Sequence, residues 1–338
     1  MFAQNVRARV MDAAGFRVQW TDFAAGGGLV DFSVPVRIRW DVDFRERSGR
    51  VKRIARRIAE AFPLFVELHI SGKRGLSELS GVLAELQKAG PHVSVHLPLL
   101  PQASGMARRG YPVDYIWNVG ATAGFVPRLP EGAAAISFIP DEETAEELPE
   151  IVAEFAESDL AELHLPNVNA VRAVAAGGHV PVHGIDRLRA AAEAVASFGL
   201  SLPGKRLVVH DFFLWKALSR TFPVATGDRI EFSGCQAGIA LAYVDWEGNL
   251  YPCDSLPIRI GSIEEGTFEE VWNSPLRRRV ADAVRSTPWV CDGCPEHRGC
   301  LGGCRGMAFL ASGSLDAPDP ACPEVRPSAP PKSASSKP

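Results

Sequence analysis

From Val36 onward, stretches of the chain with two different spacings of apolar residues follow one another in alternation. Short apolar runs predict β-strands, and apolar positions three and four residues apart predict amphipathic helices. The predicted strands cover residues 36–42, 64–70, 92–97, 115–119, 135–139 and 160–165. The predicted helices cover residues 50–62, 76–89, 142–156, 186–198 and 211–219. This alternation is typical of an α/β fold in which helices cover a parallel sheet, either open or closed into a partial barrel.

A different pattern begins near Asp228. Two short apolar runs, at residues 240–245 and 250–253, predict a β-hairpin, and one helix is expected over residues 267–286. The last thirteen residues are rich in Pro, Ser and Lys, which predicts disorder. We therefore expect an N-terminal segment, an α/β unit, a small cysteine-rich unit and a tail. Their expected bounds are 1–35, 36–227, 228–325 and 326–338.

Composition and charge exclude several classes of protein. Of the 338 residues, 46% are hydrophobic and 22% are charged, as in ordinary globular proteins. The net charge of −4 provides no overall basic field for binding nucleic acid. No run of eighteen apolar residues predicts a membrane span, and the first residues lack the apolar stretch of a signal peptide. We expect a cytoplasmic protein that binds neither nucleic acid nor a membrane.

All seven cysteines lie in the last third of the chain. They are Cys235, Cys253, Cys291, Cys294, Cys300, Cys304 and Cys322. An odd number of clustered cysteines in a cytoplasmic chain indicates metal ligands rather than disulfides. A zinc site would use the four cysteines from Cys291 to Cys304 and leave three unexplained, whereas iron–sulfur clusters would use all seven. The sequence favours iron–sulfur clusters, with a zinc-stabilised binding module as the alternative.

The spacing of the cysteines resembles that of the SPASM domain. This domain extends many radical S-adenosylmethionine enzymes that mature ribosomally made peptides, and the hairpin sequence around Gly248 also resembles it. The resemblance implies two auxiliary [4Fe–4S] clusters. It assigns one cluster to Cys291, Cys294, Cys300 and Cys322, and the other to Cys235, Cys253 and Cys304. For the open position of the three-cysteine cluster, the nearest oxygen donors in the sequence are Asp228 and Glu231, and Asp228 is preferred.

The first unit resembles the partial (β/α)6 barrel of radical S-adenosylmethionine enzymes, but without their chemistry. These enzymes carry Cys-x3-Cys-x2-Cys just after the first strand, whereas residues 39–45 here read Arg-Trp-Asp-Val-Asp-Phe-Arg. Their Gly-Gly-Glu-Pro stretch corresponds here to residues 71–74, where Lys73 and Arg74 would repel the ammonium of the cofactor. The resemblance implies a degenerate barrel that does not bind S-adenosylmethionine.

A SPASM domain behind such a barrel resembles the GeoRSP-type SPASM domain proteins, which are encoded beside a related active radical enzyme. The resemblance implies a partner that assists maturation of a ribosomally synthesised peptide. It would bind a radical SAM/SPASM enzyme and its precursor peptide, and it would hold substrate or relay electrons. The alternative is an enzyme that acts through its auxiliary clusters or through histidines near predicted strand ends, including His164, His179, His183 and His210.

Two further features have plain structural interpretations. His92 and His96 share one face of a predicted strand, where a hydrogen-bonded core pair is favoured over a metal site. Seven basic residues between Arg45 and Arg57 are interpreted as the solvated face of a helix, with docking of an acidic peptide as the alternative.

Overall fold

The computed structural model describes most of the chain from residue 32 onward. The described residues are 32–45, 48–71, 78–99, 113–120, 124–141, 143–178, 180, 185–221, 230–231 and 235–324. The tail expected at 326–338 and most of the expected N-terminal segment lie outside these residues. Within them, no helix combines the length and the hydrophobicity that crossing a bilayer requires.

The described strands form one sheet. They are β1 (Arg37–Val42), β2 (Phe65–Ile70), β3 (His92–Pro98), β4 (Asp114–Asn118), β5 (Ala135–Ser137), β6 (Glu162–Leu165), β7 (Arg206–Val209), β8 (Ile230–Glu231), β9 (Leu241–Val244), β10 (Asn249–Tyr251) and β11 (Gly261–Ser262). The order across the sheet is β11-β10-β9-β1-β2-β3-β4-β5-β6-β7-β8. Strands β1 to β8 are parallel to their neighbours. This confirms the predicted α/β fold, in the form of an open, partial barrel.

The described α-helices follow the strands in the expected alternation. They are α1 (Ser48–Glu60), α2 (Leu79–Gln87), α3 (Leu148–Glu157), α4 (Ala170–Ala175), α5 (Ile185–Ser197), α6 (Phe212–Thr221), α7 (Phe268–Trp272), α8 (Pro275–Arg285), α9 (His297–Cys300) and α10 (Arg305–Ser312). The single helix expected over residues 267–286 is wrong, because α7 and α8 are separate. Pro275 cannot donate a backbone hydrogen bond, and the Ser274 side chain caps a new helix by accepting from Arg277 N.

Each face of the parallel sheet has a distinct chemistry because side chains alternate along a strand. One face of β1 carries Ile38, Trp40 and Val42, which are at most 1% exposed and belong to the main hydrophobic core. The opposite face carries Arg39 and Asp41. On neighbouring strands this opposite face also carries polar residues, among them Glu67, His69, His96, Glu162, His164 and Arg206. We call this polar face the inner face.

The hairpin of the cysteine-rich unit extends the main sheet. Strand β9 pairs in parallel with β1, with Arg37 opposite Leu241, and β10 pairs antiparallel with β9. Helix α7 buries Trp272 in the main core, and the Trp272 indole donates to the Phe32 carbonyl over 2.9 Å. The expected boundary between residues 227 and 228 stays a prediction, but the sheet and its core continue across it.

The four arginines of α1 are paired with acids. Arg50 and Arg53 both bond to Glu264, with N–O distances of 3.1 and 3.3 Å. Arg56 lies 3.6 Å from Glu85, and Arg57 lies 3.0 Å from Glu60. The arginine side chains of these pairs are at least 36% exposed, so each pair contributes little stability. They favour the interpretation of this stretch as a solvated helix face.

Thr267 begins α7 with a capping box, in which its hydroxyl accepts from Glu270 N and the Glu270 carboxylate accepts from Thr267 N. We expect Thr267→Ala to lower the free energy of unfolding by about 1 kcal/mol, because one helix-end donor loses its partner. Thr267→Ser keeps the hydroxyl and should cost less than half as much. Anaerobic urea titrations of both variants would measure this, and equal losses would contradict a capping role.

Candidate iron–sulfur centres

Four of the seven cysteines line one pocket. They are Cys291, Cys294, Cys300 and Cys322. A short 3-10 turn ends at Cys291, and Gly293, with a φ of 72°, permits the tight return to Cys294. Cys300 ends helix α9. The structure therefore brings together the four cysteines that the resemblance assigns to one cluster.

The wall of this pocket includes side chains from the barrel. Phe212 and Phe213 of α6 line it, and Phe212 is 4% exposed. Lys216 of the same helix lies 2.5 Å from the Glu296 carboxylate, which comes from the cysteine-rich unit. An apolar wall restricts solvent around a metal centre and thereby influences its potential.

Cys304 is turned away from the four-cysteine pocket by the three residues before it. Leu301, Gly302 and Gly303 all have positive φ, at 49°, 85° and 72°. Glycine is required at position 303, because a Cβ there would lie 2.5 Å from the Asp319 carboxylate. The chain thus separates Cys304 from Cys300 although only three residues lie between them.

Cys304 forms a second group with Cys235 and Cys253. Burial raises the pKa of the Cys304 thiol well above its ordinary value, and Cys235 and Cys253 lie close enough to raise it further. Burial likewise raises the pKa of Cys253, with contributions from Asp254 and Cys235. In the other group, burial and then Cys300, Cys322 and Cys294 raise the pKa of Cys291. The thiols therefore interact in a set of three and a set of four.

Both sets of thiols fit iron–sulfur clusters as metal donors. Crowded, buried thiols do not ionise by themselves, since each thiolate would repel the next. Bound metal supplies the positive charge that stabilises several thiolates side by side. Thiolate sulfur is also the donor that iron–sulfur clusters use. The assignment of individual cysteines to clusters stays a prediction.

Two residues that the sequence did not indicate surround Cys304. The Asn167 amide lies 3.4 Å from the Cys304 sulfur, and Asn167 is 5% exposed. The Cys304 backbone N–H donates to Asp319 over 2.6 Å. Burial, reinforced by Asp211, raises the pKa of Asp319 to about 7. Neither residue belongs to a motif, so only the folded chain shows its position.

The predicted oxygen ligands of the three-cysteine set are not tested by the structure. Asp228 lies outside the described residues, and the side chain of Glu231 also lies outside them. The preference for Asp228 over Glu231 therefore stays a prediction.

Ion pairs engage the part of β1 that the sequence resemblance matches to the cysteine motif of radical enzymes. The Arg39 guanidinium lies 2.6 Å from Glu67 and 3.1 Å from Asp254. Asp41 is 1% exposed and accepts hydrogen bonds from Tyr243 and Arg172, at donor–acceptor distances of 2.6 and 2.8 Å. This end of the strand is built from paired charges.

Several histidines meet on the inner face. The rings of His69 and His96 are stacked, with centroids 4.2 Å apart, and His164 approaches the His96 ring edge-on at 6.3 Å. Burial lowers the pKa of His210 to about 4, and burial followed by His69 lowers that of His96 well below its ordinary value. His92 is instead half exposed and lies 3.0 Å from Asp114. His179 and His183 lie outside the described residues.

Comparison with known proteins identifies part of the cysteine-rich unit. Residues 235–295 match the SPASM family model, an iron-sulfur cluster-binding domain. The SPASM region is the name used below for residues 235–324. The match includes Cys235, Cys253, Cys291 and Cys294. The predicted iron–sulfur SPASM domain is thereby supported, whereas the number of clusters stays a prediction.

Curated relatives match only part of their length. The AdoMet-dependent heme synthase of Oleidesulfovibrio alaskensis is 31% identical over 99 residues, which cover 28% of this chain and 25% of that protein. The AdoMet-dependent heme synthase of Methanosarcina barkeri is 32% identical over 92 residues, which cover 26% of this chain and 25% of that protein. The chain thus matches about a quarter of the length of these relatives.

Solved structures share the overall fold. The structure of native anSMEcpe with bound AdoMet has a TM-score of 0.58 and 13% sequence identity, over 85% of this chain and 95% of that one. A second structure of anSMEcpe, with AdoMet and the Cp18Cys peptide, has a TM-score of 0.56 and 12% identity. This likeness confirms the expected α/β fold with an open, partial barrel, and the SPASM match at residues 235–295 adds the expected second unit.

Proposed function

We propose that this chain is a SPASM protein that holds two auxiliary [4Fe–4S] clusters and generates no radical itself. It would assist a separate radical SAM/SPASM enzyme in maturing a ribosomally synthesised peptide, by holding the substrate or by relaying electrons. The grouping of seven cysteines into a set of four and a set of three carries the first part of this proposal. The enzyme and its precursor peptide are the proposed partners.

The ion pairs at the end of β1 support the absence of radical generation. Three thiolates would be needed there to hold a cluster that binds S-adenosylmethionine, and the sequence contains no cysteine before Cys235. Arg39 and Asp41 instead form buried pairs that link the strand to Asp254, Arg172 and Tyr243. These charges stabilise one another, so this end of the strand serves the fold.

The residues around the cysteines are suited to holding redox centres. When bound, a [4Fe–4S] cluster supplies one-electron transfer. Asn167 directs an amide toward the Cys304 sulfur, where a hydrogen bond stabilises negative charge on the thiolate. Phe212 and Phe213 limit water at the four-cysteine pocket. The chain can thus hold one centre at the three-cysteine set, beside an amide donor, and the other at the four-cysteine set, beside two aromatic side chains.

An enzyme that acts at the inner face is the second candidate. The observation in its favour is the cluster of His69, His96 and His164 near the carboxyl ends of their strands, where parallel α/β folds place their sites. Heme synthesis is named for the two curated relatives. Because the match covers about a quarter of them, their substrate is not part of the proposal.

The proposed function predicts that the reconstituted chain alone does not cleave S-adenosylmethionine. Dithionite would reduce the protein anaerobically, and 5′-deoxyadenosine would be quantified after the cofactor is added. We expect no product above that of a sample without clusters. An active radical SAM enzyme, reconstituted in the same way, is the positive control. Product formation that scales with the concentration of this chain would overturn the proposal.

The partner role is tested separately. The chain and a candidate radical SAM/SPASM enzyme would be mixed under anaerobic conditions with the precursor peptide of that enzyme. We expect co-elution on size exclusion and faster peptide modification than with the enzyme alone. A variant without the cysteines of the SPASM region should give no acceleration. Equal rates with and without this chain, together with separate elution, would contradict the role.

A further inference from the structure

Three potential metal ligands of the inner face lie on two adjacent strands. Glu67 and His69 are two residues apart on β2, so both point to the same face. The parallel pairing of β2 with β3 places His69 directly opposite His96. One ligand atom from each of the three side chains lies within 4.8 Å of the other two. None of these residues belongs to either set of cysteines.

The two histidines carry buried nitrogen atoms that have no partner. Neither Nε2 of His69 nor Nδ1 of His96 has a hydrogen-bond partner among the described residues. Most buried polar atoms in folded proteins are paired, so two such atoms on neighbouring rings require an explanation. The two rings are stacked, with centroids 4.2 Å apart and an angle of 9° between their planes, so these nitrogen atoms belong to adjacent rings. A bound cation would satisfy both.

We propose that Glu67, His69 and His96 form a binding site for a divalent transition-metal ion of the zinc or ferrous type. Two imidazoles and one carboxylate suit these ions, whereas magnesium and calcium prefer oxygen ligands throughout. Ligand atoms bound to one zinc ion are about 3–3.5 Å apart, since each bond is about 2.0–2.2 Å long. The three ligand atoms lie within 4.8 Å of one another, so rotation of the two imidazole rings would have to close the remaining distance.

Arg37 and Arg39 position the carboxylate of this site. Arg37 bonds to one oxygen of Glu67, and Arg39 bonds to the other over 2.6 Å. Each carboxylate oxygen has two lone pairs, so both oxygens can accept from arginine while one of them binds metal. The two arginines therefore hold the carboxylate in place before a metal arrives.

Glu67, His69 and His96 are not simply a group of charges that stabilise one another. Glu67 is already paired with two arginines, so the fold does not require His69 or His96 to balance its charge. With three protein ligands, the ion keeps further coordination positions, and these positions would lie on the inner face of the sheet. Small molecules or peptide groups with oxygen or nitrogen donors could bind there. This site is independent of the proposed partner role.

Zinc binding to the cluster-loaded protein tests the proposal. The reconstituted chain would be dialysed anaerobically against radioactive zinc, with its iron content measured in the same samples. We expect one zinc ion per chain in addition to any zinc bound by cysteines that hold no iron–sulfur cluster. His69→Gln and His96→Gln should each weaken zinc binding at least tenfold while iron content is unchanged. His92→Gln is the matched control, because His92 lies on the same face of β3 but pairs with Asp114.

Three measurements distinguish zinc binding at this site from misfolding of the variants and from zinc bound in the SPASM region. Zinc should raise the melting temperature of the wild type and of His92→Gln, but not that of His96→Gln, and circular dichroism should show all variants folded. X-ray absorption at the zinc edge should show nitrogen and oxygen neighbours near 2.0 Å rather than sulfur near 2.3 Å. Sulfur neighbours, no zinc beyond vacant cysteines, or equal binding by all variants would overturn the proposal.

Discussion

Replacing Cys294 with alanine should lower the iron content of the reconstituted protein from about eight to about four atoms per chain. Cys294 shares its pocket with Cys291, Cys300 and Cys322, and its replacement by alanine removes one of the four thiolates around which this pocket is built. The variant should also lose stability in residues 287–324. This segment, which the structure describes throughout, contains no strand, and Trp289 is 74% exposed. Metal ligation therefore contributes directly to its folding.

Asp292→Ala is the matched control for this variant. Asp292 lies in the same loop, between Cys291 and Cys294, but it is exposed and is not among the predicted ligands. Iron analysis and anaerobic hydrogen exchange would compare the two variants with the wild type. Faster exchange confined to the SPASM region in Cys294→Ala is the expected pattern. Unchanged iron and exchange in Cys294→Ala would show that Cys294 is not a ligand.

Replacing Arg39 with methionine should destabilise the protein by about 3–5 kcal/mol. Arg39 lies between Glu67 and Asp254, and the side chains of all three are at most 13% exposed. Its removal leaves Asp254 buried without this partner and leaves Glu67 paired with Arg37, its other ion-pair partner among the described residues. Breaking a buried ion pair from one side costs this much because the remaining charge stays desolvated. Urea titrations followed by circular dichroism would measure the loss.

Arg37→Met provides the comparison for Arg39→Met. Arg37 also bonds to Glu67, but its side chain is 36% exposed, so its removal should cost about 1 kcal/mol or less. Combining Arg39→Met with Asp254→Asn should cost less than the sum of the two single changes, because each removes the same interaction. Equal losses for Arg39→Met and Arg37→Met, or a strictly additive double variant, would contradict a buried three-charge network.

The fold was largely predictable because its strands are apolar and its helices are amphipathic. The strands β1, β2 and β3 begin within one residue of their predicted starts. Strand β7 was missed because Arg206–Val209 is only four residues long and follows a lysine. The break between α7 and α8 was missed because the amphipathic pattern continues across Pro275, although proline at a first helical position indicates a new start.

The sequence predicted the residues of a candidate site only where several residues of one type occur at a characteristic spacing. The cysteines indicated iron–sulfur ligation through their number and their position in the chain. Glu67, His69 and Asn167 gave no such indication, because their partners His96 and Cys304 lie far away in the sequence. Such contacts depend on strand register and on the path of the chain between strands, which periodicity does not specify.

The pairing of β9 with β1 determines the order in which the sheet is completed during synthesis. The two strands are separated by roughly 200 residues, so β1 leaves the ribosome long before its second neighbour exists. Until Leu241–Val244 is made, one edge of β1 has unpaired backbone groups, which is a state prone to wrong pairing. The hairpin that protects this edge also carries the chain toward Cys253. Closure of the β1 edge and assembly of the cysteine ligands are therefore both late events in the biosynthesis of this protein.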